Sequence, residues 1–249
     1  MFKEKLKALS IHLTISTFIV GCFLIFSIKI WYPSPLLEIS GLKDIIIILL
    51  TVDLILGPLL TFVVFKPQKP SLKFDLTFIG LVQIAALAYG MFTIYQGHPV
   101  YVAYTVDRFT LINVTDVNSA KTKHKELNVS GWWKPKFVYV KPPTDPKITQ
   151  AIVFEVLSGK PDIDARPEYY EPFEKFIQDV LKHGIAAEKL TSSDNNRQKL
   201  AQFLSEHGKT ASDYAFLPLS GKEKDVIWAL SRETGKPVGV IDINPWQLG

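Results

Sequence analysis

Polar residues nearly vanish from three long stretches in the amino-terminal part of the chain and then return for the remainder. The stretches run from about residue 8 to 28, from Asp44 to Phe65 and from about residue 76 to 96. At ~1.5 Å per residue, each is long enough as a helix to cross ~30 Å of hydrocarbon. Beyond residue 97 the pattern changes to short apolar runs separated by charged turns. Pro99–Val106 alternates β-branched and aromatic residues and predicts a strand, as do Phe109–Val117 and the run ending at Val140. Apolar spacing predicts helices over Thr149–Leu157 and Glu171–Lys182, the second with Phe173, Phe176, Ile177, Val180 and Leu181 on one face. A further helix runs from Asp194, its expected cap, to His207, with Gly208 as the stop. Tyr214–Leu219, Asp225–Ser231 and Pro237–Ile243 read as a three-strand meander. The fold class expected is an α-helical three-span membrane anchor (residues 1–96) followed by a small soluble α+β domain (residues 97–249).

Charge adds an orientation. Residues 1–96 hold 8 Lys/Arg against 5 Asp/Glu, and the rest of the chain holds 20 against 19. The domain is thus almost neutral, which removes the electrostatic footprint expected of a nucleic-acid binder. Lys3, Lys5 and Lys7 precede the first span, and Lys66, Lys69 and Lys73 lie around the turn after the second. Lys29 and Lys43 flank the first connection, opposed by Glu38. Basic residues are retained on the cytoplasmic side, so three crossings put the amino terminus inside and residues 97–249 outside, in a bacterium the periplasm. Trp31 and Tyr32 suit the outer interface, and Pro33 and Pro35 keep that connection from being a continuous helix. Ile19-Val20-Gly21-Cys22 is similar to a lipoprotein processing box, but the apolar run continues through Ile28, so the span is read as uncleaved. Cys22 is the single cysteine, so no intrachain disulfide can form.

Candidate chemistry lies inside the spans. Asp53 sits near the middle of the second, where a carboxylate is costly unless it faces a protein partner or a cavity. At matching depth the third span offers Ala88 and Tyr89, and the first offers Val20 and Gly21. Tyr89 is therefore the expected hydrogen-bond partner of Asp53, with Gly21 and Gly90 allowing close backbone approach. Two readings stand: Asp53 as a satisfied contact among these helices, or Asp53 facing a helix from another protein. Gly57-Pro58 breaks the helix ladder and leaves carbonyls open to a partner. His12 and Gln83 read as packing or interfacial residues. In the domain, Trp132 and Trp133 form an aromatic pair suited to a core, an interface or lipid headgroups. The candidate partner-binding residues are thus Asp53, Gly57, Pro58, Tyr89, Trp132 and Trp133.

No catalytic or metal-binding constellation is legible. The histidines lack metal-ligand spacing, and no phosphate loop, nucleophile elbow or dinucleotide fingerprint is present. Asp162, Asp164 and Glu168 lack the calcium-loop pattern and read as partners of Arg166 in a connecting loop. The expectation is a non-enzymatic binding module without cofactor or metal.

Asp53-Leu-Ile-Leu-Gly-Pro-Leu-Leu-Thr61, Lys73-Phe-Asp-Leu76, Pro99-Val-Tyr-Val102, Val106-Asp-Arg-Phe109, Ser158-Gly-Lys-Pro161 and Arg166-Pro-Glu-Tyr169 together resemble the type IV pilin accessory proteins of the TfpX/TfpZ group. The resemblance spans nearly the whole chain. It implies a Gram-negative inner-membrane protein that assists its cognate major pilin, alongside other pilus assembly components, and affects pilus assembly or the balance of extension and retraction. It brings no assigned site residues. The alternative from the residues alone is a membrane-tethered periplasmic sensor signalling through another subunit.

Overall fold

The computed structural model describes residues 2–129 and 133–248. It divides into two compact units.

The first unit is helical and holds the residues up to Ile30 together with Leu42–Gly97. Its helices are α1 (Phe2–Phe26), α2 (Lys43–Val64) and α3 (Leu72–Gln96). All three are long and apolar enough to cross a membrane. Their outward faces carry Phe18, Ile25, Ile48, Ile55, Val63, Phe78 and Leu81, all exposed. A helix apolar all round is built for an apolar surrounding. Both α1 and α3 pack chiefly on α2 rather than on each other.

Pro58 shapes α2. It has no N–H to give, so the ladder before it loses a bond. The chain responds by widening to a π-helical turn over Thr51–Leu56, and the Gly57 N–H reaches back to the Val52 carbonyl. Regular α-helix resumes over Gly57–Val64. Asp53 lies within the widened turn.

The second unit comprises Trp31–Gly41 and His98–Gly249. It contains one sheet built from β1 (Pro99–Thr105), β2 (Arg108–Asn113), β3 (Lys136–Val140), β4 (Tyr170–Pro172), β5 (Tyr214–Ser220), β6 (Asp225–Ser231) and β7 (Pro237–Ile241). The spatial order is β4-β3-β1-β2-β5-β6-β7. The pairs are antiparallel except β1–β3 and β2–β5, and the latter joins only at Phe109–Leu219 and Thr110–Ser220. Its longer helices are α4 (Pro146–Leu157), α5 (Ile177–Lys182) and α6 (Asp194–His207).

Both faces of the sheet are covered, which explains why β5 and β6 read as nearly continuous apolar runs. Ala215, Leu217 and Leu219 enter one core with Val226, Trp228 and Leu230, where Val180 and Leu181 of α5 also lie. Tyr214 and Phe216 point to the other face with Ile227 and Ala229, against Leu200 and Phe203 of α6.

The connection between α1 and α2 belongs to this second unit. Leu36 and Ile39, on a one-turn helix, are buried in the same core as Val102, Tyr104 and Leu217. The Ile39 carbonyl accepts the Glu223 N–H at 2.9 Å. Gly221 packs so closely that a Cβ there would overlap that carbonyl. Trp31 stacks on His98 with ring centroids 4.9 Å apart. Hydropathy gives no sign of this, because a short run with two prolines looks like any surface connection.

Three expectations are corrected. The helix expected over Glu171–Lys182 starts only at Ile177; Tyr170–Pro172 instead pairs with Val138–Val140, since Pro172 biases the residue before it towards extended backbone. Arg166 bonds Glu155 at 2.7 Å rather than the nearby aspartates. Ser193, not Asp194, caps α6 by accepting from the Asn196 N–H.

Candidate functional site

A groove of about 500 Å³ runs through the helical unit, walled by α1 and α3 and floored by α2. It opens because the flanking helices lean on α2 instead of meeting one another. Ala8, Ile11, Ile15 and Ile19 line one wall, and Leu76, Gly80, Ile84 and Leu87 line the other. From Ala8 to Val20 its wall extends about 18 Å at helical rise. Nothing stands within 4 Å of the position a Cβ on Gly80 would take, so that wall is open there.

The floor is polar, unlike the outer faces. The His12 Nδ1 and the Thr61 hydroxyl are hydrogen-bonded at 2.7 Å. The Gln83 amide lies near the His12 ring, yet neither of its polar atoms has a partner in hydrogen-bond geometry. It is held against Gly57, where any Cβ would overlap it. Asp53 is 4% exposed and lines the groove. No hydrogen bond or ion pair from a described residue reaches its carboxylate.

The residues singled out from the sequence separate here. Asp53 lines the groove, Gly57 packs under the groove residue Gln83, and Pro58 is buried beside it on α2 without lining the groove. Tyr89 is not with them: it is 74% exposed and does not bond Asp53. Val20 and Leu87 line the groove with Asp53, whereas Tyr89, expected at its depth, is two residues beyond Leu87, about 200° further round the helix, and faces outward. Gly90 does pack closely, since a Cβ there would come within 2.8 Å of Leu49; Gly21 faces open space. In the domain, Trp133 is exposed, and Trp132 lies outside the described residues.

His12 and Gln83 are groove residues that sequence reasoning assigned to packing. A signal was present. Leu76, Gly80, Gln83 and Leu87 recur at helical spacing, as do Ala8, His12, Ile15 and Ile19, so each isolated polar residue lies on a single stripe.

The domain carries a second surface without a partner. α4 buries Ile152 but exposes Ile148, Val153, Phe154 and Leu157. Its start is capped by Asp145 on the Lys147 N–H, and Glu155 near its end is gripped by Arg166 and Lys160 at 2.7 and 3.1 Å. Nearby, burial and the neighbouring Asp162 carboxylate push Asp164 above the usual carboxylate range, opposed by a hydrogen bond with the Thr110 side chain.

Comparison with known proteins gives a consistent theme. Residues 1–41 match the family model described as fimbrial assembly protein FimB. A fimbrial assembly protein of serogroup I from Dichelobacter nodosus is 34% identical over 109 residues, covering 43% of this chain and 41% of the relative. One for serogroups C1 and C2 of the same organism is 33% identical over 109 residues, and the alignment covers 80% of it. One for serogroup E1 is 33% identical over 90 residues, covering 35% of each chain. The alignments thus span less than half the length of the first and third relatives, and most of the second. No solved structure matches.

Proposed function

The chain belongs to the fimbrial assembly protein FimB family, and from that premise we propose that it is a membrane-anchored accessory factor of type IV pilus assembly that holds its cognate major pilin by the pilin's membrane helix. The observation that carries this reading is the groove, with a buried carboxylate left open between two helices that lean apart. Within a bilayer, such a slot fits a fourth helix better than it fits lipid tails, which have nothing to offer Asp53 or Gln83. The reading is non-enzymatic, and within the family it favours the TfpX/TfpZ group.

Topology supports it. Trp31–Gly41 and the sheet share one hydrophobic core, so they lie on one side of any membrane. Helices α2 and α3 then form a hairpin that leaves that side and returns. The turn between them, with Lys66 and Lys69, falls on the opposite side together with Lys3, Lys5 and Lys7. That is the distribution of an inner-membrane protein with its domain in the periplasm. The exposed apolar face of α4 offers the domain's own contact for a pilin head. Joining two weak contacts by a short link gives an effective concentration of ~mM at the second.

The test is co-purification of the full chain with its co-expressed major pilin from mild detergent. Leu87→Trp, which enlarges a side chain lining the groove, is expected to lose the pilin while the protein accumulates normally. Undiminished pilin on this variant would refute the groove as its seat.

A further inference from the structure

We propose that the groove selects a helix bringing a nitrogen donor, an ammonium or a side-chain amide N–H, to the level of Asp53. This rests on the reading that the groove holds a membrane helix and adds what that helix must carry. Asp53 is buried on the groove floor, with no described residue bonded to its carboxylate. Two donors on the groove floor are committed elsewhere, and the Gln83 amide, though open, makes no bond to Asp53. The Gly57 N–H bonds the Val52 carbonyl inside the widened turn, and His12 bonds Thr61. An incoming helix cannot help through its middle backbone, because its interior N–H groups are already bonded within it. The donor must come from a side chain or from a free helix start.

Gln83 sharpens the pattern. Its amide is nine-tenths buried, unpaired and pressed on Gly57, one helical turn along α2 from Asp53. Two open polar groups therefore sit about 6 Å apart along the floor. Apart from Ser16 and the bonded His12–Thr61 pair, the rest of the lining is apolar. The preferred occupant is an otherwise apolar helix with a nitrogen donor facing Asp53, and a second polar residue a turn away strengthens the match. A carboxylate at the first position would oppose Asp53 directly.

The experiment uses the full chain in membranes, co-expressed with single-pass model helices of leucine and alanine. Each bears one residue at mid-span: Lys, Asn, Leu or Glu. Capture by a photo-crosslinking residue at Gly80 is the readout. The Lys and Asn helices are expected to exceed the Leu helix by about threefold to tenfold, with Glu no better than Leu. Asp53→Asn should erase the advantage of the Lys helix; if that variant fails to accumulate, the four helices on the native chain still decide the question. Equal capture of all four, or capture of pilin but of no model helix, overturns the donor requirement and leaves the helix-binding reading intact. Loss of pilin capture as well overturns both.

Discussion

The two units differ in where they leave buried polar groups unmet. In the sheet unit three buried phenols end on backbone carbonyls, Tyr101 on Leu127 at 2.6 Å, Tyr170 on Asp164 at 2.5 Å and Tyr104 on Val106 at 3.1 Å, while the Thr105 hydroxyl and the Trp228 indole N–H stay unpartnered inside the packed core. In the helical unit Asp53 and Gln83 are just as hidden and have no such partners. Unmet polar groups in an apolar setting are costly. The unmet groups of the sheet unit are isolated neutral donors enclosed by side chains, whereas those of the helical unit, a carboxylate among them, line a groove. The helical and sheet units thus differ in the openness of their buried polar groups as well as in polarity.

The comparison breaks most readily at Ile39. If the first connection is part of the sheet unit's core, Ile39→Ala should destabilise that unit by ~2–5 kcal/mol, as large-to-small core changes do. Denaturant unfolding followed by Trp228 fluorescence measures it, and an unchanged midpoint would detach the connection from the core. Next comes Gly57. Its Cβ would overlap the Gln83 amide, so Gly57→Leu should lower thermal stability in detergent by ~1–3 kcal/mol. Tyr170→Phe removes one buried hydrogen bond in the sheet unit and should cost ~0.5–1.5 kcal/mol.

A smaller effect, of opposite sign, is expected at Asp164. Its carboxyl is held above the ordinary range, so its contribution to stability is fully present below the unfolded value of ~3.9 and is lost as pH rises through the folded one. Asp164→Asn stays neutral throughout. It should melt higher than the native chain at pH 7 and converge with it near pH 4. The smallest effect belongs to Tyr89→Ala, which removes an outward ring and should change stability by no more than ~0.5 kcal/mol.

Much of this arrangement could be read from residue pattern. The three spans, the meander from Tyr214 to Ile241 and the Gly208 stop, whose φ is +63°, all follow from local rules that the tertiary structure does not override. Counting residues also singled out Asp53 as a polar residue within an apolar helix, and it is buried on the groove floor. What counting could not give was direction around the helix. Two residues decide whether α3 presents Leu87 or Tyr89, and that choice depends on how the helices lean. The burial of Leu36 and Ile39 was hidden for a related reason. Their core partners are remote in sequence, on strands such as β1 and β5, and no local period reports such contacts. Tyr170–Pro172 was drawn into β-pairing by Val138 and Val140, against an apolar spacing that favoured helix.

The most direct measurement compares two photo-crosslinking positions on α3. Gly80 faces the groove, and Phe78 is exposed about 200° away round the same helix. With the major pilin co-expressed in native membranes, the account predicts a pilin adduct from position 80 and little or none from position 78. Adducts of equal yield from both, or from position 78 alone, would contradict it.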